Sequence, residues 1–401
     1  MKYKNVLAYT LVSCCILLMS CQKPFDLSTL PNPSGKVVIG DTNYVELYPP
    51  WNTQFHQSPR AIMVGLDQLI YVADYDANEI VMLNAGGQVL KRRSIMHPIS
   101  IAQNYKLDLF VGAEAIAPNG VDTIGVIYRI ALVRLDTVLL TGYNIRIDPL
   151  TGDTTKTPIY EDTSYFAFHN LDTAHMHVVW QEAAHPARRF PGIGVLPGNS
   201  YLAARVGPDN GSYIDPDTRV LQFTPGDTMF SPEPDLTTRA SGGTAITDIK
   251  TLTGLMIIPG TSDFVITQST EPLDFVAYGV TWMTYISNNN FQGYLPKFDP
   301  TAPGQQNLDF VRPYRFRKAV ATAYDSKARN LFVLDSDLDS VFVFGNLGQL
   351  RPLSFGYWET KNGLSPGLHN PLGIAYSSNL VLYIADTGNK MVRLFKLSTQ
   401  L

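Results

Sequence analysis

The chain has 401 residues, of which 45% are hydrophobic and 16% charged, so it can build a large core with fewer charges than the ~25% usual for soluble domains. A formal net charge of −4 gives no basis for a broad electrostatic grip on nucleic acid, and no nucleic-acid partner is expected. The only cysteines, Cys14, Cys15 and Cys21, sit at the extreme N-terminus, which removes disulfide scaffolds, cysteine metal sites and cysteine nucleophiles from the remainder. With 21 Tyr, 19 Phe, 30 Gly and 27 Pro, the composition suits short half-buried strands joined by turns, and predicts an all-β fold.

Lys2 and Lys4 open the chain, and an apolar stretch over residues 6–19 follows. It is too short for a comfortable membrane span and is expected to be the core of a signal peptide over residues 1–20. It closes on Leu18-Met19-Ser20-Cys21, which resembles the bacterial lipobox. The resemblance implies cleavage before Cys21, a diacylglycerol on its sulfur and acylation of the freed amine. At ~0.8 kcal/mol per buried methylene, two or three such chains hold a protein stably on a membrane. Cleavage would remove Lys2 and Lys4 and no acid, taking the net charge to −6. Residues 21–36 then read as the lipidated cysteine and a tether, since Pro24, Pro31 and Pro33 interrupt any helical or strand period. Gln22-Lys23 is similar to the surface-export signals of Bacteroidetes lipoproteins, although Pro24-Phe25-Asp26 replaces their acidic continuation. The expected location is the bacterial cell envelope, as an outer-membrane lipoprotein on the periplasmic or surface leaflet, with the membrane as a partner through the anchor.

Residues 37–401 show internal repeats. Pro59-Arg60-Ala61-Ile62, Leu69-Ile70-Tyr71-Val72-Ala73-Asp74 and Asn78-Glu79-Ile80-Val81-Met82-Leu83 form one unit. Pro371-Leu372-Gly373-Ile374-Ala375, Val381-Leu382-Tyr383-Ile384-Ala385-Asp386 and Asn389-Lys390-Met391-Val392-Arg393-Leu394-Phe395 form another. A third runs Ala319-Val320-Ala321, Leu331-Phe332-Val333-Leu334-Asp335 and Asp339-Ser340-Val341-Phe342-Val343-Phe344. Each holds three β-rich runs separated by turn residues. The pattern resembles the NHL repeat, which implies a β-propeller, usually of six blades.

Degenerate units fill the interval. Pro98-Ile99-Ser100-Ile101-Ala102 and Leu107-Asp108-Leu109-Phe110-Val111-Gly112 begin a second blade, whose third strand falls near residues 125–135. Pro191-Gly192-Ile193-Gly194-Val195, Ser200-Tyr201-Leu202-Ala203-Ala204 and Arg219-Val220-Leu221-Gln222-Phe223 make another. A further blade is expected to open at Ala245-Ile246, continue through Phe264-Val265-Ile266-Thr267 and resume over residues 276–285, for a total of six. Residues 141–164, with Asp148-Pro149 and Thr151-Gly152-Asp153 turn chemistry, read as an excursion and not as a separate domain. The last repeat has only three visible strands near the C-terminus, so Tyr44-Val45-Glu46-Leu47 is expected to close the ring as its fourth.

Among polar motifs, Asp335-x-Asp337-x-Asp339 lacks the Gly and Glu of an EF-hand, whose places hold Ser340 and Asn346. The repeat register instead puts Asp335 with Asp74 and Asp386 at a strand-ending turn, where a carboxylate accepts backbone N–H bonds. His169, His175, His177 and His185 cluster with Asp172 and Glu182. His175-x-His177 on a strand would turn both rings to one face, which makes the pair a candidate for metal, although solvent-exposed rings in an inserted polar hairpin are the simpler reading and no metal is expected. The NHL resemblance also allows enzymes. The zinc lyase that cleaves peptidyl-hydroxyglycine takes histidines directly after the repeat proline, where this chain has Arg60, Ile99, Gly192 and Leu372; His97 and His369 precede the proline instead. Nor does a set of Glu, Asn and Asp at the inner-strand starts match the calcium-dependent lactonases.

Arg60, Arg317 and Lys318 stand at or beside inner-strand starts and are candidate ligand-binding residues at one mouth of the central channel. Trp51, Trp180, Trp282 and Trp358 are expected to pack between blades. The leading expectation is a lipid-anchored, non-catalytic binding or interaction module for a protein or glycan, with no cofactor. The alternative is a metal-dependent hydrolase or lyase working in the central channel or through His175 and His177.

Overall fold

A computed structural model describes residues 42–401 apart from 53, 56–57, 133–137, 150, 163–167, 169, 171–173, 213, 233–235, 237–244, 271–275 and 357–366. Cys21, the signal peptide and the tether therefore lie outside the described residues, as do His169, Asp172 and Trp358. Among the described residues no helix is long and apolar enough to cross a membrane.

Strand β1 (Tyr44–Trp51) enters first, and its partner comes from the far end of the chain. Blade 1 is β2 (Pro59–Val64), β3 (Ile70–Asp74), β4 (Glu79–Leu83) and β5 (Val89–Ser94). Blade 2 is β6 (Ser100–Gln103), β7 (Leu109–Ile116) and β8 (Thr123–Ile130), after which a separate hairpin, β9 (Val138–Ile147) and β10 (Thr154–Asp162), intervenes before the outer strand β11 (Met176–Gln181). Blade 3 is β12 (Arg189–Val195), β13 (Tyr201–Val206), β14 (Arg219–Phe223) and β15 (Met229–Pro232). Blade 4 is β16 (Leu252–Ile257), β17 (Phe264–Gln268), β18 (Val280–Ser287) and β19 (Gln292–Pro296). Blade 5 is β20 (Ala319–Asp325), β21 (Asn330–Asp335), β22 (Ser340–Gly345) and β23 (Phe355–Gly356). Blade 6 is β24 (Gly373–Tyr376), β25 (Leu382–Asp386) and β26 (Met391–Leu397), completed by β1. Each blade is a four-stranded antiparallel meander, and together they make a six-bladed β-propeller.

The second strand of a blade is covered on both faces by its neighbours. Hence β3 and β25 are buried at every residue and read as unbroken apolar runs, not as an alternation. One apolar core fills each interface. Ile70, Val72 and Val81 of blade 1 pack against Tyr383, Val392 and Leu394 of blade 6, while Tyr71, Ile80 and Met82 face Val111, Ile124 and Val126 of blade 2. Burial of each such aliphatic side chain stabilises the fold by about 1.5–3 kcal/mol. The interface between the last and first blades is as fully packed as the others, so the ring is closed.

Closure uses the expected strand. Tyr44 pairs with Leu397, Glu46 with Phe395 and Leu47 with Leu394, joining the two ends of the propeller. Tyr44 reaches Phe332 and Phe355 of blade 5, with ring centroids 5.6 and 5.5 Å away, and Arg393 Nη1 binds Glu46 Oε2 at 3.2 Å.

The expected opening of blade 4 needs correction. Ala245-Ile246 is not a strand; the inner strand is β16, seven residues after Ala245. No proline announces it. The segment before it forms a turn, with Asp248 N–H donating to the Ala245 carbonyl, and caps the blade through Thr281 and Gln268, which donate to the carbonyls of Ile246 and Asp248. The excursion expected over residues 141–164 is seen as the hairpin β9–β10, whose two strands, among the described residues, pair only with each other.

Candidate functional site

The inner strands β2, β6, β12, β16, β20 and β24 surround a central cavity of about 710 Å³. Its walls are largely aliphatic, from Ile62, Ile101, Ile193, Leu255, Val320 and Ile374 among others. The charged side chains among its lining residues are Arg60, Arg189, Lys318 and Glu114. All four belong to the end of the channel where the inner strands begin: Arg60 and Arg189 at the starts of β2 and β12, Lys318 just before β20, and Glu114 on β7 beyond its pairing with β6. The opposite end carries Leu66, Tyr105, Pro259, Tyr324 and Tyr376.

Of the residues singled out by sequence, Arg60 and Lys318 line the mouth. Arg317 does not: its side chain is exposed and outside the cavity, while its N–H donates to Asp335 and its carbonyl accepts from Thr270.

Four further residues complete the mouth. The Arg60 guanidinium carbon lies 4.7 Å from the centroid of the Tyr75 ring, and Tyr75 stacks on His97 at 4.6 Å with planes 15° apart. His97 Nδ1 is 3.1 Å from Glu114 Oε2, and Arg189 Nε donates to Glu114 Oε1 at 2.8 Å. Burial by itself would raise the Glu114 pKa, but hydrogen bonds from Arg189 and His97, with the Arg189 charge, hold it below the ordinary carboxylate value. Burial draws the Arg60 pKa down, opposed by Tyr75 and Glu114. The result is a continuous row of cation, phenol, imidazole, carboxylate and cation at the edge of the channel.

Sequence reading passed over Tyr75, Glu114 and Arg189. The repeat held the signal. Asp74, Asp335 and Asp386 end the second strand, and Tyr75 and Glu114 sit one residue past that place; their N–H groups donate to carbonyls just ahead of the inner strand, those of Ser58 and Met96. In blade 2 the aspartate itself is replaced by Ala113, which hides the alignment.

The three aspartates behave as the register predicts. Asp335 accepts from the N–H groups of Arg317, Lys318, Asp337 and Leu338, Asp386 from His369 N–H, and Asp74 from Ser58 N–H. Blade 4 carries Gln268 here, paired with Leu252 as Asp74 is with Pro59; its amide donates to the Asp248 and Tyr278 carbonyls and its oxygen accepts from Lys250 N–H.

The histidine cluster is distributed differently from the expected inserted hairpin. His177 lies on β11, an integral outer strand of blade 2, and His175 just before it. His177 Nε2 is 3.3 Å from Asp227 Oδ2, which Arg129 also holds at 3.0 Å. Glu182 is buried and binds Arg188 and Arg205, in a network with Asp215 and Asp217 that seals blade 2 against blade 3. Among the described residues no three His, Cys, Asp or Glu side chains are grouped to hold a metal ion. Trp51 and Trp282 are buried between blades, Trp282 donating to Asp263, and half-buried Trp180 donates to Glu182.

No protein-family model matches the chain, and no curated protein matches its sequence. Solved structures do resemble it. A luciferin-regenerating enzyme superimposes with a TM-score of 0.51 at 9% identity, over 89% of this chain and 95% of the other. An auxiliary nutrient binding protein from Bacteroides ovatus ATCC 8483 gives 0.50 at 12% identity, over 89% and 78%. Another, from Bacteroides thetaiotaomicron VPI-5482, gives 0.50 at 9% identity, over 86% and 70%. At such identities the likeness establishes the propeller fold and nothing finer.

Proposed function

We propose that this chain is a lipid-anchored binding module of the bacterial cell envelope, attached through Cys21 to the outer membrane, whose ligand or partner docks at the mouth bearing Arg60 and Lys318. One observation carries the reading: an aliphatic cavity of about 710 Å³ opens at an end that gathers Arg60, Arg189, Lys318 and Glu114. That size and mixture suit a small-ligand site. The lipobox-like Leu18-Met19-Ser20-Cys21 supports an envelope address, and the loops around the mouth offer a face to a protein or a glycan. The propeller fold serves nutrient binding proteins and an enzyme alike, so it does not choose between them.

The test is a thermal-shift screen of the purified chain against small acids and oligosaccharides, followed by analysis of the recovered ligand. A binder recovered unchanged, whose shift is lost in Lys318→Glu, supports the module. Turnover that requires an added divalent cation would replace it with the metal-dependent hydrolase or lyase.

A further inference from the structure

The charges and the walls of the channel point to one class of occupant. We infer that the cavity takes an organic anion with an extended apolar body, its charged head at Arg60 and Lys318 and its body along the aliphatic throat. The inference rests on the binding-module reading and names the ligand of that same site.

The charge argument is a count. Arg60, Arg189 and Lys318 against Glu114 give the cavity lining a net charge of +2, within a chain whose formal net charge is −4. Glu114 is already held by Arg189 and His97, so its negative charge is answered locally. Arg60 and Lys318 form no salt bridge among the described residues. Two cations at the rim of a low-dielectric cavity attract an anion more strongly than they would in water.

The wall argument concerns hydrogen bonds. A sugar needs donors and acceptors along its length, and four of the polar side chains that line the throat are already engaged within the protein. Ser100 Oγ donates to the Phe190 carbonyl, and Thr253 Oγ1 to the Ala319 carbonyl. The Gln103 side chain accepts from Leu66 N–H and donates to the Leu107 carbonyl, and Tyr376 donates to Asp325 Oδ2. Thr322, Tyr105 and Tyr324 also line the channel, but most of the side chains around them are Ile, Leu, Val, Met and Ala, whose surface gains by covering an apolar chain.

The experiment uses decanoate, decanol and glucuronate as probes in calorimetric titrations of the purified full chain. Decanoate should bind at least tenfold more tightly than decanol. In Arg60→Met/Lys318→Met its affinity should fall by about tenfold or more, the scale of one lost charge-assisted contact, with decanol unchanged. Lys318→Met alone, which leaves the Arg60–Tyr75 contact in place, should show a smaller loss in the same sense. Raising the salt should weaken decanoate and spare decanol. Equal decanoate affinity in wild type and both variants would overturn the inference. So would glucuronate binding at the mouth without decanoate binding, and that result would leave the binding module standing. No binding by any probe, together with no binder in the wider screen, would remove both.

Discussion

Asp335 shows at the scale of one residue how the repeat is held. Its carboxylate is fully buried and satisfies four backbone N–H groups, those of Asp337 and Leu338 at the turn between the second and third strands of blade 5 and those of Arg317 and Lys318 just ahead of its first strand. Burial raises its pKa and those N–H bonds oppose the rise. Asp335→Ala would strand the donors, so unfolding by denaturant should show a loss of about 2–4 kcal/mol. Asp335→Asn keeps an acceptor oxygen and should fall between that variant and wild type. Glu114 works with the opposite sign. Its folded-state pKa is lowered, so its ionised form contributes stability above about pH 5, and that contribution fades as the pH falls through the lowered value. Melting curves of Glu114→Gln and wild type should therefore differ at neutral pH and converge as the pH falls through the lowered folded-state value. A constant difference across the range would remove the ionised carboxylate from the account.

At the scale of the element, two strands decide whether the ring closes and how wide it is. Strand β1 pairs with β26 and buries Tyr44 and Trp51 against blades 5 and 6. Removal of residues 22–35 should leave the melting temperature nearly unchanged, because that segment has no strand period. Removal through residue 48 takes away Tyr44 and the Glu46 partner of Arg393, and exposes the edge of the last blade. A large fall in melting temperature or aggregation is expected, and identical melting of the two truncations would show that β1 is dispensable. The width of the ring depends on residues such as Gly192 on β12. A Cβ there would lie 2.2 Å from the Leu255 nitrogen on β16, so the inner strands approach too closely for any side chain. Gly192→Ala should cost about 1–3 kcal/mol by calorimetry, the usual scale of overpacking.

At the scale of the whole molecule, the anchor proposed at Cys21 would separate the address of this propeller from its core. Wild type should incorporate a labelled fatty acid and sediment with membranes, while Cys21→Ser should be unlabelled and soluble. Equal labelling of the two would reject the anchor. The division between what was legible in the residue order and what was not follows from the range of the interactions. By itself the sequence determined the all-β class, the six-fold repetition and the closing strand, because these rest on local signals: the period of β-rich runs, turn residues, and a missing fourth strand beside an unpaired Tyr44-Val45-Glu46-Leu47. It placed Asp74, Asp335 and Asp386 correctly, since a carboxylate that caps its own turn acts within a few residues of itself or its partner strand. It misplaced the opening of blade 4, where the proline cue is absent and the true strand is recognised only by what packs on it. Of the mouth, the repeat register offered Arg60 and Lys318, and the rest escaped it for a different reason. Arg60 and Tyr75 come from blade 1, His97 and Glu114 from blade 2, Arg189 from blade 3 and Lys318 from blade 5, and no spacing along the chain brings them together. Only closure of the ring sets those strand starts around one opening, turns Lys318 inward and leaves Arg317 in solvent.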